Sequence, residues 1–148
     1  MPSTISPLDV EDVRGRVNDQ LSAFLDAQVT ALEQISEDLG PLSHAAGDLL
    51  AGGKRLRPAF CYWGWRGAGG ADTDTAIHAA TSLELLQGCA LVHDDVMDGS
   101  DTRRGLPSAH RRFEALHDQH AWLGSASAFG VGAAILLGDL CLSWADEM

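Results

Sequence analysis

The chain has 148 residues and a formal net charge of −11, with a pI of about 4.7. An acidic chain of this kind is a poor candidate for binding nucleic acid, whose phosphates attract basic surfaces. Its length and its 45% of hydrophobic residues suit one domain with a core. Eight of the ten basic residues lie in two groups, which indicates local anion sites. One group is Lys54, Arg55, Arg57 and Arg66, and the other is Arg103, Arg104, Arg111 and Arg112.

Cysteine spacing and hydrophobicity bear on where the protein works. Cys61, Cys89 and Cys141 are far apart and show no disulfide or zinc pattern, so we expect a protein of the reducing cytoplasm. The first residues lack the basic start and apolar core of a signal peptide. The longest uncharged apolar run, residues 128–138, is too short to cross a bilayer. We therefore expect no transmembrane segment.

The first part of the chain is predicted to form three helices separated by glycine and proline. Residues 1–8 are expected to be a loose tail, and Asp9 to cap a first helix that Gly40-Pro41 ends. A short second helix stops at Gly52-Gly53, and Pro58 opens the third. The apolar residues of the first helix recur mostly at steps of three and four: Val10, Val13, Val17, Leu21, Phe24 and Leu32.

The second part is predicted to contain two long helices. The first runs from about Thr75 to Asp98, and residues 99–107 follow as a polar loop. Residues 110–124 are polar and show no clear pattern. A last helix, residues 125–148, is rich in Ala, Gly and Leu, which suits close packing with all its faces buried. Strand-like alternation and internal repeats are absent from the sequence, so we predict an all-α bundle.

Asp94, Asp95 and Asp98 place three carboxylates at the end of the long helix. Asp94 and Asp98 are one turn apart, and Asp95 lies about 100° round the axis from Asp94. Such carboxylates repel one another, and the helix dipole disfavours negative charge at this end. Hard divalent cations prefer carboxylate oxygen, so we predict a magnesium site. The alternative is a solvated acidic helix end.

Other polar residues are placed to share this site. Glu84 and Gln87 lie upstream on the same helix and are expected to line the same wall as the aspartates, unless they form a hydrophilic stripe facing solvent. Arg103 and Arg104 follow one short loop later. Adjacent arginines on an extended loop point in different directions, so they suit two anions or two ends of one site.

A second basic loop occurs in the string GGKRLRP, residues 52–58. Its glycines permit close approach of the backbone, and Lys54 and Arg57 are candidates for holding a phosphate group. Taken alone the match to a phosphate-binding loop is weak, because the G-x-x-x-x-G-K-[ST] spacing is missing and no strand precedes it.

In combination these motifs are far more specific. GGKRLRP, then ELLQGCALVHDDVMDGSDTRRG, then GAAILLGDLCLSWADE resemble the trans-isoprenyl diphosphate synthases, or polyprenyl synthetases, from about Leu42 to the end. The resemblance implies the N-terminal half of the all-α isoprenoid-synthase bundle. It also implies a prenyltransferase that condenses isopentenyl diphosphate with an allylic diphosphate, with Mg²⁺ as cofactor. A homodimer, or association with a C-terminal half, is the implied assembly.

The same resemblance implies roles for individual residues. The three aspartates match the first aspartate-rich motif, whose magnesium bridges to the allylic diphosphate. Arg103 matches a ligand of that diphosphate. Lys54, Arg57 and Arg104 match ligands of isopentenyl diphosphate, and Gln87 matches a position that contacts the same group.

Product length in this family is set by residues upstream of the first aspartate motif. Cys89 and Ala90 are small where farnesyl-forming members carry bulky aromatic residues. Leu86 and Leu83, further up the helix, are candidates for the floor of the tunnel. We therefore expect a geranylgeranyl or somewhat longer product, C20 or more.

The sequence also departs from the family pattern. A second aspartate-rich motif and a lysine-threonine motif are both missing from the 148 residues. We therefore expect the chain to be inactive alone. It is then part of a longer enzyme, one half of a split enzyme, or a non-catalytic partner of a synthase. A terpene cyclase is an alternative, but a cyclase needs no site for isopentenyl diphosphate, so GGKRLRP and Arg104 argue against it. A purely structural helical subunit is the rival outside enzymes.

Four further residues are given structural readings. His93 is expected to be a packed, hydrogen-bonded histidine. His117 and His120 are three apart, a spacing that would allow metal binding on a helix, but we expect them to lie on an exposed polar stretch. Asp139 begins no aspartate motif and is read as a residue of helix packing or of the surroundings of the site.

Overall fold

The structure, a computed structural model, describes residues 10–148, and these are helical nearly throughout. The predicted tail and the proposed cap Asp9 lie outside the described residues. A short antiparallel hairpin is formed by β1 (Thr102–Arg103) and β2 (Leu106–Pro107). The all-α prediction is confirmed. The helices are α1 (Val13–Ile35), α2 (Gly40–Leu50), α3 (Leu56–Gly67), α4 (Asp74–Asp98), α5 (Ala109–Gln119) and α6 (Ala126–Glu147), with 3₁₀ turns at Val10–Asp12 and Glu37–Leu39.

Helix α4 lies at the centre and contacts each of the other helices. Its first half packs on α1 and α3 through a cluster that includes Val17, Tyr62 and Ile77. Its second half packs on α2, α5 and α6 through a larger cluster that includes Leu85 and Leu137. Each large apolar side chain buried in this way stabilises the fold by about 1.5–3 kcal/mol. The two clusters hold the acidic end of α4 in a fixed place.

The boundary between the first two helices differs from the prediction. Asp12 caps α1 by accepting a hydrogen bond from the Gly15 amide at 3.3 Å. Helix α1 ends at Ile35, because Ser36 is extended and its side chain caps the next turn. Gly40-Pro41 therefore begins α2, and the prediction that it ends the first helix is wrong. Proline fits the first turn of a helix, where its missing N–H costs nothing.

The predicted polar loop after α4 contains a hairpin instead. Gly99, at φ 65°, ends α4, and the Ser100 amide donates to the Asp95 carbonyl at 2.9 Å. Arg104 and Gly105 form the turn between the strands, with φ of 53° and 79°. Positive φ at both central residues is what a type I′ turn requires. The strands are too short for an alternating pattern to reveal them.

Helix α6 is less enclosed than predicted. It packs against α4 and α5, but Leu136 is 63% exposed and Leu142 is 48% exposed, so the prediction that all its faces are buried is wrong. The helix has 22 residues, and its most apolar window of 18 residues has a mean hydropathy of 1.7, so by length and composition alone it is able to cross a membrane. Core helices of soluble proteins share this property.

The unassigned stretch before α6 forms α5. Phe113 on this helix is buried in the larger cluster, and His117 is only 5% exposed. The His117 ring packs edge-on against Trp122, with centroids 5.9 Å apart. The expectation of an exposed polar stretch is therefore wrong for His117, since the aromatic residues that follow α5 cover it.

Candidate diphosphate and metal site

The three aspartates at the end of α4 have different surroundings. Asp95 is 3% exposed, whereas Asp94 and Asp98 are open to solvent. Arg103 donates from Nε and from Nη2 to the two carboxylate oxygens of Asp95, both at 2.7 Å. The hydrogen bonds to Asp95 raise the pKa of Arg103 above its ordinary value. Arg103 also approaches Asp94, at 3.5 Å.

This pairing separates the cluster into two parts. Both oxygens of Asp95 are occupied by Arg103, so Asp94 and Asp98 are the carboxylates left open for a cation. Within residues 10–148, no group of three or more His, Cys, Asp or Glu side chains is arranged to hold a metal ion. Two carboxylates one turn apart still suit magnesium, which usually keeps waters and accepts phosphate oxygens as further ligands.

The hairpin that carries Arg103 is fixed at its base. The Asp101 carbonyl accepts a hydrogen bond from the Ser108 amide at 2.9 Å. The Asp101 carboxylate accepts one from Arg111 Nε at 2.7 Å. These contacts join the hairpin to the start of α5. The position of Arg103 is therefore fixed by α5 through the hairpin and by α4 through Asp95.

A cavity of about 130 Å³ lies between the loop after α2 and one wall of α4. Four residues that the sequence assigned to diphosphate binding line it together: Lys54, Arg57, Gln87 and Arg104. The three cationic side chains are on exposed residues, and none has an ion-pair or hydrogen-bond partner among the described residues. Three unpaired positive charges around one cavity, in a chain of net charge −11, give this cavity a local surplus of positive charge that suits an anion.

A smaller cavity of about 80 Å³ lies beside Asp95 and Arg103. Arg104 and Leu91 line both cavities. The basic cavity and the acidic end of α4 are therefore neighbours, and Arg104 stands between them.

We expected Glu84 to line the same wall as the aspartates, but in the structure it does not join them. Its carboxylate accepts a hydrogen bond from Arg55 Nη1 at 2.5 Å, and its side chain is only 12% exposed. Sequence reasoning gave Arg55 no role beyond membership of a basic group. The available signal was Glu84 itself, since a carboxylate among the apolar residues of a core helix needs a buried cation.

The proposed chain-length residues lie on two sides of α4. Ala90 and Leu86 are exposed, on the side of the helix that carries Asp94. Cys89 is 7% exposed and belongs to the core cluster, with its Sγ 3.7 Å from His93 Nδ1. The structure therefore does not bring Cys89 to the same face as the other two.

His93 is a packed, hydrogen-bonded histidine, as predicted. Its Nε2 lies 3.1 Å from the carbonyl oxygen of Ile135 on α6. The same atom lies 3.5 Å from Asp139, whose side chain is 58% exposed. These contacts join α4 to α6 at the residue directly before the first of the aspartates.

The comparisons with known proteins agree on one family. The family model described as polyprenyl synthetase matches residues 41–148. Heptaprenyl diphosphate synthase component 2 of Geobacillus stearothermophilus is 42% identical over 92 residues, which cover 58% of this chain and 28% of that protein. Geranylgeranyl pyrophosphate synthase 11 of Arabidopsis thaliana, a chloroplastic protein, is 32% identical over 153 residues, which cover 94% of this chain and 38% of that protein.

A solved structure supports the fold. The geranylgeranyl pyrophosphate synthase from Corynebacterium glutamicum, complexed with isoprenyl diphosphate and magnesium, superposes with a TM-score of 0.81 at 39% identity. The match covers 88% of this chain and 38% of that one. The chain thus spans well under half the length of the relatives it matches. Because the family model covers most of the chain, and the structure is shared, this chain belongs to the polyprenyl synthetase family.

Proposed function

We propose that this chain carries the diphosphate-binding part of a trans-prenyltransferase, which condenses isopentenyl diphosphate with an allylic diphosphate to give a longer prenyl diphosphate. One observation carries the proposal. Lys54, Arg57 and Arg104 surround a single cavity without partners among the described residues, next to the acidic end of α4. Adjacent basic and acidic sites suit two diphosphates, one bound directly and one bound through a cation.

The basic cavity is proposed to hold isopentenyl diphosphate. Lys54 donates to its phosphate oxygens from the loop after α2, and Arg57 donates from the start of α3. Arg104 donates from the hairpin, and Gln87 contacts the same group from α4. The cavity needs no metal, because these residues supply positive charge directly.

The acidic end of α4 is proposed to serve the allylic diphosphate. Asp94 and Asp98 would hold magnesium, which supplies positive charge to the departing diphosphate when bound. Asp95 orients Arg103, whose Nη1 has no acceptor within residues 10–148 and is left to donate to the same anion. The Corynebacterium relative complexed with isoprenyl diphosphate and magnesium supports this assignment.

The product is proposed to be C20 or longer. Ala90 lies about one turn before Asp94, and Leu86 lies about one turn before Ala90, on the same side of α4. A small residue directly below the aspartates leaves room for a growing chain, and Leu86 with Leu83 limits its depth. Cys89 is proposed to affect product length indirectly, from the opposite side of α4, through the packing of α4 on α6. Product analysis in the assembled enzyme tests this, and farnesyl diphosphate as the sole product would contradict it.

Activity is proposed to require more than these 148 residues. The metal ligands that the family supplies from a second aspartate-rich motif are not in the sequence. We propose that they come from further chain or from a second polypeptide, and one relative is itself named as a component of heptaprenyl diphosphate synthase. We also propose that the protein forms homodimers, as the family resemblance implies. A cytoplasmic location is proposed because the three cysteines are free thiols.

Binding of isopentenyl diphosphate in the presence of EDTA tests the proposed function. We expect the chain to bind it in calorimetric titration, and Lys54→Ala and Arg57→Ala each to weaken binding about tenfold, since each removes a charged hydrogen bond. Arg66→Ala is the matched control, because Arg66 lies on α3 outside the cavity and contacts Glu11. A terpene cyclase would bind an allylic diphosphate with magnesium but not isopentenyl diphosphate. A purely structural subunit would bind neither.

A further inference from the structure

The buried guanidinium of Arg55 joins three helices to the basic loop. Nε donates to Asn18 on α1 at 2.8 Å, and Nη1 donates to Glu84 on α4 at 2.5 Å. Nη2 donates to the Leu50 carbonyl, at the end of α2, at 2.8 Å. Arg55 is 7% exposed, although both of its neighbours in the chain are exposed. One side chain thus satisfies three acceptors from three elements.

Among residues 10–148, the side-chain hydrogen bonds of the loop of residues 51–55 all come from Arg55. Gly52 and Gly53 have φ of 69° and 98°, and Arg55 itself has φ of 52°. Such backbone is costly for a residue with a side chain and persists only when surrounding contacts impose it. The three hydrogen bonds of Arg55 are those contacts. Lys54, directly before Arg55, and Arg57, two residues after it at the start of α3, both line the cavity that the loop borders.

The charge of Arg55 matters as well as its shape. Glu84 lines the same cavity as Lys54 and Arg57, so an unpaired carboxylate there would repel a phosphate group. Arg55 neutralises it and leaves the surplus positive charge of the cavity intact. A lysine at position 55 would keep the charge, but its single ammonium group cannot reach three acceptors in a planar fork.

We propose that Arg55 is a positioning residue, which fixes the loop of residues 51–55 and the start of α3 so that Lys54 and Arg57 meet the same anion as Gln87 and Arg104. The proposal rests on the proposed function, since it assigns a role within that diphosphate site. Arg55 touches no substrate in this role and acts through the loop and through Glu84.

The experiment uses the full chain and Arg55→Lys, with Arg66→Lys as the matched control on α3. Inorganic pyrophosphate in EDTA is the probe for the basic cavity. We expect Arg55→Lys to bind it about tenfold more weakly than the wild-type chain, because the loss of charged hydrogen bonds frees the loop. We expect Arg66→Lys to bind it as the wild-type chain does. Equal affinity of the Arg55→Lys and wild-type chains would overturn the proposal.

Limited trypsin digestion provides a readout that needs no ligand. Burial of Arg55 protects the bonds on either side of it, so cleavage between residues 54 and 56 should be several-fold faster in Arg55→Lys than in the wild-type chain. Cleavage after the exposed Arg104 is the internal control and should not change. Unchanged cleavage at residues 54–56 would show that Arg55 does not hold the loop.

Two further outcomes keep the proposals separate. If the wild-type chain binds no pyrophosphate, the proposed function fails and the anion role of the loop fails with it, while the cleavage rates still decide whether Arg55 holds the loop. If Arg55→Lys does not fold, Asn18→Ala takes its place, because it removes one acceptor from an exposed residue. We expect smaller shifts in the same direction, and no shift in either readout would overturn the proposal.

Discussion

Arg103 donates two hydrogen bonds of 2.7 Å to Asp95, one to each carboxylate oxygen, and Asp95 is 3% exposed. The middle residue of the aspartate cluster therefore anchors the hairpin to α4. The two flanking aspartates, Asp94 and Asp98, face solvent. A motif that looks uniform in sequence contains one structural carboxylate and two open ones.

Removal of the buried carboxylate should cost stability. We expect Asp95→Ala to lower the free energy of unfolding by about 2 kcal/mol, because Arg103 loses two charged hydrogen bonds and its charge stays partly buried. Asp94→Ala is the matched control, since its contact with Arg103 is 3.5 Å long and its side chain is 63% exposed. It should change stability by less than about 0.5 kcal/mol. Urea unfolding measures both, and equal losses would contradict the assignment.

Two glycines of α6 should respond in opposite ways to alanine. A Cβ at Gly138 would overlap the His93 ring, so Gly138→Ala should destabilise the protein by about 1–3 kcal/mol. A Cβ at Gly132 meets nothing within 4 Å, so Gly132→Ala should stabilise the protein by about 0.5–1 kcal/mol through helix propensity. Thermal unfolding of the two variants checks this. A stabilised Gly138→Ala would show that His93 does not pack as described.

The three thiols should differ in reactivity. Burial raises the pKa of Cys141 to about 12, with a smaller effect from Cys89. Burial, then the charge of Asp139, also raises the pKa of Cys89. Both thiols should therefore stay protonated and unreactive at pH 8, whereas the exposed Cys61 should react.

Mass spectrometry after brief treatment of the native protein with a thiol reagent checks this. It should find one label, on Cys61, and three labels after denaturation. Cys61→Ser, as the control, should take up none in the native state. Rapid labelling of Cys141 would contradict its burial.

The single tyrosine allows a direct test of pH dependence. Burial raises the pKa of Tyr62 to about 12, and the hydrogen bond to Glu11 adds to the effect. An unfolded chain ionises its tyrosine near pH 10. Between about pH 10 and 12 the unfolded state therefore binds fewer protons than the native state, and stability falls as pH rises.

Absorbance at 295 nm as a function of pH measures this phenol alone, because the chain has one tyrosine. The midpoint should lie near 12 in the native protein and near 10 in urea. Tyr62→Phe should abolish the signal. Equal midpoints in the two states would show that Tyr62 is exposed.

The sequence predicted those features that depend on local spacing. The periodicity of α4 placed Asp94, Asp98 and Gln87 correctly on one helix, because side-chain direction on a helix follows from residue number. The grouping of Lys54, Arg57 and Arg104 into one cavity followed from family resemblance and not from spacing, since residues 54 and 104 are brought together only by packing.

What the sequence did not predict depends on long-range partners. Glu84 pairs with Arg55, and Asp95 pairs with Arg103, because a carboxylate held largely out of water needs a cationic partner. Position along the helix alone predicted the same role for Glu84 and Asp95, as acids that line one wall of the site. Cys89 is adjacent to Ala90 in sequence, yet it faces α6 and the core, since neighbouring residues on a helix point about 100° apart.

We propose that one chain carries two diphosphate sites, of which only one depends on magnesium. Equilibrium dialysis of inorganic pyrophosphate against the full chain, in EDTA and then in excess magnesium, distinguishes the two sites. We predict one bound pyrophosphate per chain in EDTA and two in magnesium. The double variant Asp94→Ala, Asp98→Ala should bind one in both conditions, whereas Asp118→Ala, an exposed acid on α5, should behave as the wild-type chain does. Binding that is absent in EDTA, or that the double variant loses altogether, would contradict the account.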